Sequence, residues 1–134
     1  MRGGFTLAEV IIVVVIIGIL ATLAVPNYIK AVERTRNKEA ISMLKLIQQA
    51  EKMYRLENNG YVACNSNANC NNKLKLNLPS GGNWDYKVTN VDNNSKPPKF
   101  TAKALRNGLD KRTWSIDQDD KEPICSPKQS KYCE

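Results

Sequence analysis

Gly3-Gly4-Phe5-Thr6-Leu7-Ala8-Glu9-Val10, running on into Ile11 through Val25, decides the fold of this 134-residue chain. From Leu7 to Val25 there are nineteen residues, and Glu9 is the only charged one among them. A bilayer-spanning helix needs ~20 apolar residues, so this segment is long enough to cross a membrane. A lone acid in such a stretch is expensive and marks a functional position by default. A secretory signal would place small residues after the apolar run. Here Gly3-Gly4 come before it, so a cut after Gly4 would remove a tiny basic leader carrying Arg2 and leave the apolar segment on the mature chain.

The order Gly4, Phe5, Thr6, Leu7, then Glu9 as fifth residue of the trimmed chain, resembles the class III signal of type IV pilins and type II secretion pseudopilins. The resemblance implies cleavage between Gly4 and Phe5 by a prepilin peptidase, methylation of the new Phe5 amino group, and a role for Glu9 in assembly. It also implies a filament of identical subunits built on an inner-membrane assembly platform, with the chain held in the membrane beforehand. Physics agrees about Glu9. A carboxylate at a helix centre in lipid costs ~2.5 to 3.5 kcal/mol, less near the interface. A neighbouring chain's Phe5 amine would offset that cost, and a buried ion pair of this kind is best justified as a device for register. The competing reading is an acid at a helix start, favoured by the macrodipole and wetted by headgroups.

Gly18 and Pro26 interrupt the apolar pattern, and Pro26 removes one backbone hydrogen bond, so a kink or local loosening is expected between them. In relatives the corresponding stretch is unwound in assembled filaments, which the resemblance carries to Gly18 through Pro26. Beyond Pro26 the composition turns polar while the helical period continues. Ile29, Val32, Ala40, Met43, Leu44, Ile47 and Tyr54 form one apolar stripe. Asn58-Asn59-Gly60 is a stop, because both residue types accept the left-handed conformation that ends helices. Phe5 to Leu56 as one helix would reach roughly 78 Å, longer than a globular domain requires.

After Gly60 the chain reads as loops and short strands. Trp84, Tyr86 and Val88 alternate with polar neighbours; Phe100, Ala102 and Ala104 repeat the pattern; Thr113 to Ile116 offer a third strand. Turn signals between them favour an antiparallel meander laid against the helical stripe. The expected architecture is α+β and pilin-like: leader 1–4, membrane or filament-core helix 5–26, amphipathic helix 27–58, and a small antiparallel β-sheet head over 59–134. Such a head has a marginal core. Cys64, Cys70, Cys125 and Cys133 allow three connectivities, of which the one made of the two local pairings, Cys64 with Cys70 and Cys125 with Cys133, is expected. Each would contribute roughly 2 to 3 kcal/mol. Four thiolates without histidine, at wide spacing, argue against zinc.

Twenty lysines and arginines against thirteen acids leave a formal charge of +7. Lys103, Arg106, Lys111, Arg112, Lys128 and Lys131 are interleaved with acids and read as a solvated face, so nucleic acid is possible but not favoured as a partner. The acids Asp117, Asp119, Asp120 and Glu122 lack the spacing of a calcium loop, and no metal or other cofactor is expected. Asn93-Asn94-Ser95 fits a glycosylation acceptor, a pattern common by chance. There is no histidine, phosphate loop or Gly-x-Ser-x-Gly, so nothing is assembled for catalysis. The expected role is a major-type pilin serving adhesion, motility or DNA uptake: an inner-membrane precursor, then an extracellular fibre. A periplasmic pseudopilin and a monomeric membrane-tethered binding protein are the alternatives.

Overall fold

The computed structural model of the chain describes residues 3–108, 110–128 and 130–133, so of the expected leader only Gly3 and Gly4 are among the described residues. Helix α1 covers Leu7–Asn58, α2 covers Asn67–Leu74, and four strands follow: β1 Trp84–Asp92, β2 Lys99–Arg106, β3 Thr113–Asp117 and β4 Ile124–Ser126. The chain divides into two compact units at Thr35/Arg36, each with its own character.

In the first unit the large side chains are exposed, from Phe5 and Leu7 through Val10 to Val15 and on to Leu23 and Val25. In the single chain α1 runs as helix through both Gly18 and Pro26. Proline removes one donor, and side chains engage carbonyls around it: Thr22 Oγ1 donates to Ile19 O at 2.7 Å and Asn27 Nδ2 to Leu23 O at 3.4 Å.

The second unit is the α+β head. Its sheet is a consecutive antiparallel meander in the order β1-β2-β3-β4, with Tyr86 opposite Ala104 and Ala104 opposite Trp114. Alternation places Trp84, Tyr86, Val88, Phe100, Ala102, Ala104, Trp114 and Ile116 in one core with Ala40, Leu44 and Ile47 of α1. Met43 and Tyr54 only border that core, and Ile29 is exposed, so the buried stripe is narrower than its sequence pattern. Helix α1 stops where expected: Asn59 is left-handed (φ 58°) and donates to Arg55 O at 2.8 Å. Gly60 is required there, since a Cβ would lie 2.8 Å from the Asn93 side chain. Asn93 in turn accepts from Tyr61 N–H and donates to Tyr61 O, which occupies the amide that a glycan would need.

The asparagine-rich run after Cys64, expected as loop, contains α2. Ser66 caps it through Asn69 N–H, and Lys75 closes it in the left-handed region. This segment seals the free edge of β1. Cys64 exchanges two backbone hydrogen bonds with Val88, and buried Asn67 donates to Pro79 O and Trp84 O while accepting from Tyr86 N–H at 2.7 Å. An exposed edge invites pairing with another chain, and the asparagines remove that hazard. Both local disulfides are present, Cys64–Cys70 and Cys125–Cys133.

Arg112 departs from its expected solvated place: it is fully buried. Its guanidinium lies 5.4 Å from the Trp84 ring centre and 5.3 Å from that of Tyr132, with Asp110 Oδ2 at 3.1 Å from Nη1. The two aromatic faces and the carboxylate replace its water. Asn37 continues the same join, donating to Tyr132 O and accepting from Trp114 Nε1 at 3.4 Å. Arg112→Ala should therefore cost about 3 kcal/mol, read as a lower urea midpoint of the full chain in detergent, because it leaves a void and strips a charge pair together.

Candidate functional site

The amino-terminal site is built by a helix start. Thr6 precedes the first turn of α1 and Glu9 stands three residues on, the spacing of a capping box. Glu9 Oε2 accepts from Thr6 N–H and from Thr6 Oγ1, both at 2.8 Å, and Glu9 N–H donates to Thr6 Oγ1 at 3.3 Å. The acid thus has an internal partner in the lone chain. The Thr6-x-x-Glu9 signature is legible in the sequence and agrees with the reading of Glu9 as an acid at a helix start. Phe5, Glu9, Val10, Ile12, Val13 and Val14 border one shallow apolar depression of about 480 Å³. The structure thus brings Phe5 and Glu9 together, whereas Gly18 and Pro26 lie further along the helix and the four cysteines belong to the head.

Helix α1 is long and apolar enough near its amino end to cross a membrane, and the window that qualifies is wholly unburied. Apolar surface of this extent requires lipid or other protein to cover it.

On the head, the acidic residues of the β3–β4 connection serve separate partners. Glu122 pairs with Lys45 at 2.6 Å, Asp120 accepts from Asp117 N–H at 2.9 Å, and Asp119 from Gln118 at 3.0 Å. Gln48 of α1 donates to the Asp117 and Asp120 carbonyls, so this loop is a fastening of the helix to the sheet. Among the described residues, no three acids, cysteines or histidines converge on a metal position. Two further titratable groups are buried in the head, Glu51, which the sequence pattern does not single out, and Tyr86 of β1. Glu51 accepts from Val62 N–H at 3.0 Å through Oε2 and is fully buried; burial raises its pKa to about 7, against the opposing pull of that hydrogen bond and of Lys73. Burial, aided by Glu39, also pushes the Tyr86 phenol upward.

Residues 1–25 match the prokaryotic N-terminal methylation motif, and residues 26–126 match the family described as type IV minor pilin ComP, DNA uptake sequence receptor. The chain belongs to the type IV pilin and pseudopilin family, whose members are structural subunits and not enzymes. It is 31% identical over 125 residues to the type II secretion system core protein G of Pseudomonas aeruginosa, covering 90% of this chain and 87% of that protein. The core protein G of Aeromonas hydrophila is 45% identical over 60 residues, 45% of this chain and 42% of the relative. The type IV major pilin protein PilA of Myxococcus xanthus is 37% identical over 86 residues, 64% of this chain and 36% of the relative. The chain thus spans less than half the length of these last two relatives. No solved structure matches it. The matched motif and the apolar helix together suit membrane anchoring.

Proposed function

We propose that this chain is a type IV pilus subunit whose head captures DNA during uptake. The observation that carries this reading is the match of residues 26–126, most of the head included, to a minor-pilin family described as a DNA uptake sequence receptor. The formal charge of +7 supports it, since cations that neutralise phosphates release counterions and drive binding. The same match favours a low-abundance subunit over the major-type one read from the sequence, and it lifts DNA above its earlier rank among partners.

In this reading the precursor sits in the inner membrane through Val10 to Val25, is cut between Gly4 and Phe5, and is methylated on Phe5. Subunits then join on the inner-membrane platform, with sister helices replacing lipid and Glu9 setting the stagger. A pseudopilin of a type II secretion system is the second reading, favoured by the Pseudomonas relative that aligns over nearly the whole chain. Deletion of the gene separates them: loss of DNA uptake with normal protein secretion supports the first, and the reverse pattern refutes it. Purified full chain in detergent is expected to shift the fluorescence anisotropy of a labelled duplex, with affinity falling as salt rises.

A further inference from the structure

We propose that a row of three lysines, Lys73 on α2, Lys87 on β1 and Lys103 on β2, forms the DNA-phosphate contact of the head. The inference rests on the reading of a DNA-capturing head and gives it an address.

Lys87 and Lys103 are direct cross-strand partners, and alternation puts both on the face of the sheet away from the core. Like charges directly opposite one another destabilise a sheet. Among the described residues neither lysine has an ion pair to relieve the repulsion, although Asp85 and Asp117 occupy the two flanking rungs of the same face. An unrelieved pair is what an anionic partner would neutralise. Lys73 extends the row: it and Lys87 border one cavity of about 450 Å³ together with Asn65, Asn69 and Thr89. Amide and hydroxyl donors of this kind are common phosphate contacts and carry no sequence information themselves. On the other side of Lys103 the rung continues to Ser115, another hydroxyl.

The row is also held in place. Lys73 Nζ donates to Ala63 O at 2.8 Å, the Cys64–Cys70 disulfide ties α2 to the segment before it, and the Cys64–Val88 bridge ties that segment to β1. Groups fixed before binding lose less entropy on contact. The asparagine-rich segment that closes the sheet edge thereby also brings Lys73 alongside Lys87.

The test is duplex binding by the full chain in detergent, measured by anisotropy across a salt series. Lys87→Gln with Lys103→Gln should flatten the slope of log affinity against log salt by about 1.8, ~0.9 for each lost phosphate contact, and weaken binding about equally across sequences. Adding Lys73→Gln should flatten it further, and Lys87→Arg with Lys103→Arg should keep wild-type binding. Lys52→Gln with Lys96→Gln, an equal loss of charge elsewhere, should leave the slope unchanged. Melting temperature should hold or rise in the glutamine variants, because repulsion is removed; a fall that accompanies the binding loss would mark a structural role and overturn the proposal. Wild-type binding with an unchanged slope in the Lys87/Lys103 double variant overturns the row while leaving DNA capture intact. A wild-type chain that does not bind DNA overturns both.

Discussion

Glu51→Gln is expected to stabilise the head by about 2 kcal/mol at pH 8 and to change it little at pH 4. Glu51 lies on α1 with no exposed surface, and only one of its oxygens has a partner among the described residues, the Val62 N–H. Its pKa of about 7 in the fold stands against an ordinary 4.5. Below pH 4.5 both folded and unfolded chains carry the proton, so the side chain adds no pH-dependent penalty. Between the two values the folded chain holds a proton that the unfolded chain has released, and stability falls as pH rises. Above pH 7 the penalty is complete, with a ceiling of ~3.4 kcal/mol that relaxation around the carboxylate reduces. Glutamine imitates the protonated form and accepts the same Val62 hydrogen bond. Urea unfolding of both proteins between pH 4 and pH 8 checks this; parallel stability curves would remove the argument.

Glu9→Ala is expected to leave the chain in the membrane and almost absent from sheared surface filaments. The reason is an exchange of partners. In the lone chain Thr6 satisfies Glu9 through two donors at 2.8 Å, a local arrangement that any neighbour must better. In the proposed assembly a charged amine on an adjacent Phe5 would do so, because a charge-assisted contact away from water is stronger than a hydrogen bond to a hydroxyl. Alanine removes both roles, whereas glutamine separates them. Glu9→Gln still completes the capping box, so the helix start survives, but it offers no charge. Near-complete loss of this chain from sheared filaments with both variants, while its membrane levels stay normal by immunoblot, assigns assembly to the charge. Normal incorporation of the Glu9→Gln chain into filaments would reduce Glu9 to a helix cap and refute the register device.

The pattern of side chains along the sequence revealed much of this molecule because it follows from local geometry. The period of two in Trp84-Asp85-Tyr86-Lys87-Val88 needs only a strand with one wet face, and the structure buries those three apolar residues. Asn59 ends α1 in the left-handed conformation that its type tolerates. Short-range signals failed where a residue's role depends on distant partners. Asn67 and Asn71 are poor helix formers and read as loop; they sit in α2 because their side chains complete hydrogen bonds to Pro79, Trp84, Tyr86 and Leu78. Arg112 reads as a surface charge by its neighbours in sequence, but in the fold Trp84 and Tyr132 flank its guanidinium. β4 was missed because three residues, Ile124–Ser126, are too few to show a period.

By itself the sequence determined the apolar anchor, the acid placed within it, the processing motif, the meander of the first three strands and the existence of a cysteine framework. These are properties of composition and near-neighbour spacing. Only the tertiary structure decided that Glu51 and Arg112 are buried, that the acidic loop fastens helix to sheet, and that Lys73, Lys87 and Lys103 share one surface. Burial and charge proximity depend on which distant segments the fold brings into contact, and spacing along the chain does not encode them.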